Sequence, residues 1–334
     1  MKMFNLSLRF SLPFTLALGA LALGLGPLNL PAAEPDPAST NAAPAGRGFE
    51  SPEAAITALQ AATESYDQAA LRGLFGPGFQ TMQTGDAVQD ARNARWFAAA
   101  MIQGCQTITN ADDNITLEVG TNQWPMPIPL VRVGGQWFYD TAAGQEEIIN
   151  RHIGKDELHA IGACRAYVTA QQQHALASPA TQWGTQYALA FQSTEGTHDG
   201  LYWPTSMNET NSPFGPLIAG AQTGYYVSHR GRGPQPFHGY YFKVLTRQGP
   251  DAPGGKMNWL HHGKLTGGFA LVAYPEHWGQ SGIMTFIVNQ DGKVYQQDLG
   301  AATTKTVRAL KEYNPDSGWT LVSDAGVTNA VAEQ

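Results

Sequence analysis

The chain has few charges and almost no cysteine: of 334 residues, 14% are charged and two are cysteine. Two cysteines exclude a disulfide-dense scaffold and a four-cysteine zinc ribbon. The 20 basic residues are outnumbered by 27 acidic ones, giving a formal charge of −7, which excludes a strongly basic nucleic-acid binder. Beyond the N-terminal segment, no stretch approaches the run of about 18 apolar residues that spans a bilayer. Catalytic motifs are also missing. In Gly279-Gln280-Ser281-Gly282 the next residue is Ile283, so the second glycine of a nucleophile elbow is not in place. Gly254-Gly255-Lys256 lacks P-loop spacing. The nine histidines form no His-x-x-x-His pair, and there is no Cys-x-x-Cys. His152 and His159, seven apart, can share a helix face, but this spacing alone does not make a metal site. No cofactor is expected.

Apolar residues and turn formers are plentiful. Hydrophobic residues make up 43% of the chain, with 37 glycines and 21 prolines. That is enough to bury a core, and the turn content favours a mixed α+β or mostly β protein over a helical array. The length allows two ordinary domains or one large one.

The N-terminus has the charge–apolar–small order of a secretory signal peptide. Lys2 and Arg9 precede an apolar stretch from Phe10 to Leu25, and Pro31-Ala32-Ala33 follows before the polar Glu34. Residues 1–33 are therefore expected to be a signal peptide, and the mature chain, without Lys2 and Arg9, carries about −9. Residues 34–50 are rich in Ala, Pro, Asn and Gly and read as a flexible linker. In an oxidising compartment, Cys105 and Cys164 are candidates for one bridge; the alternative is two buried thiols.

Helix signals open the body of the chain. Ser51-Pro52-Glu53 is an N-cap, an N1 proline and an acidic first turn. Asp67 caps a second helix over 68–75, stopped by Gly76-Pro77-Gly78, and a third is expected over 87–102, with Ala94, Trp96, Phe97 and Met101 as candidates for burial. Ile115, Leu117 and Val119 alternate with polar residues as in a half-buried strand. The prolines at 125, 127 and 129 exclude a central strand there, and 130–139 reads as a hairpin around Gly134-Gly135. From Gln145 a long helix is expected to Ser178-Pro179, kinked at Gly154, with Asp156 and Glu157 as first-turn carboxylates after the kink. A short helix is expected near 187–191. Strands follow over 238–246, 268–274, 282–289 and 293–299, then a helix over 303–313 and a strand over 319–322.

The candidate ligand-binding residues are Trp124, Asp199, Tyr202, Trp203, His238 and Tyr240. Most are aromatic and lie in loops or at strand edges among glycines and prolines, where a groove for an envelope polymer or a partner can form. Tyr225, Tyr226 and Trp259 share that setting. Asp199, beside His198 and ahead of Tyr202-Trp203, is the carboxylate most like a site residue; an Asx-turn that ends a loop is the plainer reading.

Three helices, a sheet and the Gly134-Gly135-Gln136-Trp137 turn resemble the cone-shaped α+β fold of nuclear transport factor 2-like proteins, which hosts enzymes, ligand carriers and inert modules alike. Trp124-Pro125 with Ile128-Pro129-Leu130-Val131, Asp140-Thr141-Ala142-Ala143-Gly144, Asp199-Gly200-Leu201-Tyr202-Trp203-Pro204, His238-Gly239-Tyr240-Tyr241-Phe242 and Met284-Thr285-Phe286-Ile287-Val288-Asn289 resemble the bacterial secreted family of domain of unknown function 2950. That resemblance implies export, in a Gram-negative bacterium, and supplies no activity. The helix over 156–172 followed by Gly239-Tyr240-Tyr241-Phe242 and a Pro275-ended strand is similar to type IV pilin and pseudopilin heads. Ser51-Pro52-Glu53 stands where a pilin's apolar stalk would begin.

The reading is an α+β protein with a cone-like module at 51–144, a long helix packed on an antiparallel β-meander at 145–325, and a disordered tail at 326–334. The expected function is a non-catalytic binding or assembly module, periplasmic or secreted, with an envelope protein or glycan as partner. The alternative is a hydrolase of an envelope polymer that uses Asp199 and a second carboxylate.

Overall fold

A computed structural model describes residues 44–83, 87–178, 182, 184–204, 212–214 and 234–323. The expected signal peptide, the start of the linker, Tyr225, Tyr226 and the tail lie outside these residues. The protein is α+β. No helix among the described residues is long and apolar enough to cross a membrane.

Helix α1 (Pro52–Glu64) starts as its sequence dictates: extended Ser51 accepts from the Ala54 N–H at 3.3 Å. Helix α2 (Gln68–Phe75) is capped by Asp67, which accepts from the Ala69 and Ala70 N–H groups at 2.9 and 3.0 Å. Gly76, at φ +67°, ends it, because the left-handed region is open to glycine at little cost. A 3₁₀ segment, Gly76–Met82, leads towards α3 (Ala87–Gln103). Burial in α3 falls on Ala98, Ala100 and Met101, whereas Trp96 is 56% exposed, which corrects the expectation for that side chain.

The first sheet runs in the order β1 (Cys105–Ala111), β2 (Asn114–Val119), β4 (Leu130–Val133), β5 (Gln136–Tyr139), with β3 (Trp124–Pro125) also paired to β2. Strand β2 alternates as expected, with Ile115, Leu117 and Val119 buried. The end of the expected linker is tied down: Phe49 is buried and exchanges two backbone hydrogen bonds with Trp137, at 2.9 and 2.7 Å. Leu59, Leu74, Leu117, Leu130 and Tyr139 belong to the hydrophobic cluster closed by these elements.

Helix α4 (Thr141–Ala177) starts four residues before the expected Gln145 and runs through Gly154 as one helix of 37 residues. Asp140 caps it, accepting from the Ala143 N–H at 3.1 Å, and the Thr141 hydroxyl donates to the Phe75 carbonyl at 2.8 Å. Its first turn therefore packs against the first cluster, while Ala160, Cys164, Tyr167 and Val168 belong to a second.

The second cluster is built on a five-stranded antiparallel sheet. Tyr187, expected to be helical, lies instead in β6 (Gln186–Tyr187), paired with a later strand. Strand β7 (Tyr240–Leu245) follows, and short β8 (Arg247–Gln248), β9 (Met257–Asn258), β10 (Leu260–His261) and β11 (Lys264–Thr266) form small side sheets. Then come β12 (Ala270–Pro275), β13 (Met284–Asn289), β14 (Tyr295–Asp298), helix α5 (Thr303–Ala309), β15 (Glu312–Tyr313) and β16 (Thr320–Leu321). The main sheet order is β16-β14-β13-β12-β7. Every residue of β12 is buried, so both faces of the sheet are covered at its centre. Helix α4 packs on β12 and β13, and α5 packs on β12.

Cys105 and Cys164 are not bridged. Each packs with a different cluster, Cys105 at the edge of the first and Cys164 fully buried in the second. Burial pushes the Cys105 thiol up and the Cys164 thiol up to about 12, which disfavours the thiolate in both.

Candidate functional site

The six candidate residues fall in three places rather than one groove. Trp124 lines a cavity of about 270 Å³ in the first cluster. Leu59 and Thr63 of α1, Phe75 of α2, Phe79 of the 3₁₀ segment and Phe97 of α3 form its wall with Trp124 and Met126. The Thr63 hydroxyl donates back to the Leu59 and Gln60 carbonyls at 2.9 and 3.0 Å, so its hydrogen-bonding capacity is used within its own helix. Phe75 and Phe79 stack at 6.1 Å, and the Trp124 ring meets Phe97 edge-on at 6.3 Å. The proline-rich segment that carries Trp124 is held from outside. Arg151 of α4 lies 5.6 Å over the Trp124 ring, donates to the Pro125 carbonyl at 2.7 Å and pairs with Glu147 at 2.7 Å. Exposed Trp96 meets Trp124 edge-on at 5.7 Å.

Asp199, Tyr202 and Trp203 share one loop. Asp199 accepts from the Thr194 N–H at 2.7 Å and from the Thr194 and Thr197 hydroxyls at 2.8 Å each. Partial burial pushes its carboxyl up, but these hydrogen bonds outweigh that effect and hold it below the usual carboxylate range. The group ties the loop together, as an Asx-type residue does, and both of its oxygens accept hydrogen bonds within that loop. Trp203 stacks on His198 at 4.2 Å, and Tyr202 bridges to Gln192.

His238 and Tyr240 meet the middle of α4. Phe237 and Tyr240 exchange backbone hydrogen bonds at 2.9 and 3.0 Å, leaving His238 (φ +45°) and Gly239 (φ +66°) as the tip of a tight two-residue turn. Glycine is required at the second place: a Cβ there would lie 2.6 Å from the Ser281 Cβ and 2.9 Å from Asp156 Oδ2. The turn brings the His238 ring onto His159, with centroids 3.8 Å apart and planes within 8°. Asp156 lies beneath, 3% exposed, and its Oδ2 is 3.1 Å from His152 Nε2. Ligand atoms of Asp156, His159 and His238 all lie within 4.8 Å of one another. Burial pushes the His238 imidazole down; His159, Lys155 and His152 push the same way, and Asp156 opposes. Glu157 faces β13, where it accepts from the Ile283 and Met284 N–H groups at 2.9 Å each. Tyr240 is structural: its buried hydroxyl donates to the Met284 carbonyl at 2.8 Å.

Sequence reasoning noted His152 and His159 but not Asp156 between them, which it took for a first-turn carboxylate. The signal was the i, i+4, i+7 spacing of His152, Asp156 and His159 on one face of an unbroken helix.

Fold and sites together define a mixed α+β protein with an apolar cavity at one end of a long helix and a histidine–aspartate cluster at its middle. A family model described as Protein of unknown function (DUF2950) matches residues 46–322, and the chain belongs to that family. No curated protein and no solved structure matched it.

Proposed function

We propose that the protein is an exported, non-catalytic binding module of the bacterial cell envelope, and that its cavity takes one large apolar side chain of an envelope protein. The cavity carries this reading. Taking about 30 Å³ for each water-sized group, its volume holds about nine non-hydrogen groups, the size of one aromatic side chain. It lies below the range of about 300–1,000 Å³ for drug-sized ligands. Its wall is mostly aromatic and aliphatic with two thioethers, Met82 and Met126, and Gln83, Asp90 and Asn93 are polar members; methionine adapts its shape to an incoming group. A buried aromatic anchor in such a pocket is how a few residues come to dominate an interface. Sugar recognition would call for more inward-facing polar groups, so a protein partner fits better than a glycan. The N-terminal charge–apolar–small pattern supports export. The hydrolase alternative loses its main support because Asp199 is committed to its own loop.

Indole, with a ring the size of the proposed anchor, is the probe. Calorimetric titration should show saturable binding of one indole per chain. Ala94 also lines the cavity, and Ala94→Phe should abolish the binding while leaving the unfolding temperature within a few degrees. Heat that does not saturate, or binding that Ala94→Phe leaves intact, would refute the cavity as receptor.

A further inference from the structure

We propose that Asp156, His159 and His238 form a binding site for one divalent transition-metal ion of the zinc type. Two imidazoles and one carboxylate are a donor set such an ion takes, with a fourth position left for solvent or another ligand. The three ligand atoms already lie within 4.8 Å of one another. A tetrahedral zinc site with bonds of about 2.0–2.1 Å sets its ligands about 3.4 Å apart, so closure brings the three ligand atoms closer by side-chain rotation. Imidazole nitrogens bind through lone pairs in the ring plane, so His238 has to turn out of its stack on His159. Its exposed position at a turn tip leaves room for that.

Three further observations converge on the same place. His159 Nδ1 is buried with no hydrogen-bond partner, an unfavourable state that a metal–nitrogen bond would relieve. Asp156 is a carboxylate buried in mid-helix, where Asp is a poor helix former and a buried charge demands a partner. Its ion-pair neighbour is His152, whose side chain is 64% exposed, and this contact orients the carboxylate as an outer-shell partner does. His238 adopts a left-handed backbone conformation disfavoured for non-glycine residues, and Gly239 admits Asp156 where any side chain would collide. Strain of this kind gathers where a side chain must be presented to a site.

The test uses the full chain without a histidine tag, stripped with a chelator and titrated with Zn²⁺ against a chromophoric competitor. One equivalent should bind, and Co²⁺ should give the absorption spectrum of a site with nitrogen and oxygen ligands. His238→Ala, at an exposed position, should weaken zinc at least tenfold with unfolding unchanged, and His159→Ala should do the same. His277→Ala, at an exposed histidine outside the cluster, should bind as the parent does. Absence of a stoichiometric equivalent, or an equivalent that survives both cluster variants, would overturn the assignment. Indole binding is read separately, so failure of one proposal leaves the other standing.

Discussion

His174, in the last turn of α4, is 4% exposed, and its Nδ1 lies 3.3 Å from the Ser178 hydroxyl oxygen. Burial pushes its imidazole below the ordinary value, against smaller upward pulls from His198 and Asp199. The unfolded chain therefore takes up the proton more readily. The stability this group contributes is complete above about pH 6.5 and is lost as the pH falls towards the folded value, by at most about 1.4 kcal/mol per pH unit. Urea denaturation at about pH 7.5 and about pH 5.5 should show the parent losing more stability than His174→Gln across that interval; parallel losses would contradict it. Single residues were legible in the sequence where chemistry is local. Ser51 and Asp67 announce their caps, and Asp199 announces its loop. His238 was among the candidate residues, but its meeting with Asp156 depends on a turn that follows α4 by some sixty residues (177 to 237), and periodicity carries no information at that range.

Two glycines in the first half of α4 have opposite surroundings. A Cβ at Gly144 would lie 2.5 Å from Ile128 Cγ1 and 3.1 Å from the Ile128 Cα, whereas one at Gly154 would meet nothing within 4 Å. Gly154→Ala should raise stability by about 0.5–1 kcal/mol, through helix propensity and a less free unfolded chain. Gly144→Ala should lower it by about 1–3 kcal/mol, because the helix would be forced off the first cluster. Thermal unfolding of both variants checks this, and equal shifts would show that the N-terminal turns of α4 do not pack as described. The close approach at Gly144 also explains why the helix start was missed: Thr141-Ala142-Ala143-Gly144 reads as a loop until its packing is known. Strand β1 was missed for a related reason. Six of its seven residues are exposed, so it lacks the alternation that betrayed β2. A helix was expected at 187–191, but pairing of Gln186 and Tyr187 with Thr266 and Leu265 sets the start of that segment as a strand.

At the scale of the whole molecule, α4 is the shared element. Its first turns help close the cluster that holds the cavity, its middle carries the histidine–aspartate group, and the rest lies on the antiparallel sheet. One rigid helix therefore fixes Arg151 over Trp124 at the cavity wall and, one residue on, His152 against Asp156. The α+β class and the strand order of the meander were legible because buried strands alternate or run apolar between clear turns. The cavity was not legible, because it arises from five separate segments, none of which carries a motif. The most direct test of the cavity as a receptor is diffraction from crystals soaked in 5-bromoindole. The account predicts one anomalous bromine peak among Phe79, Phe97 and Trp124; a cavity without the peak, with bromine bound only elsewhere on the protein, would contradict it.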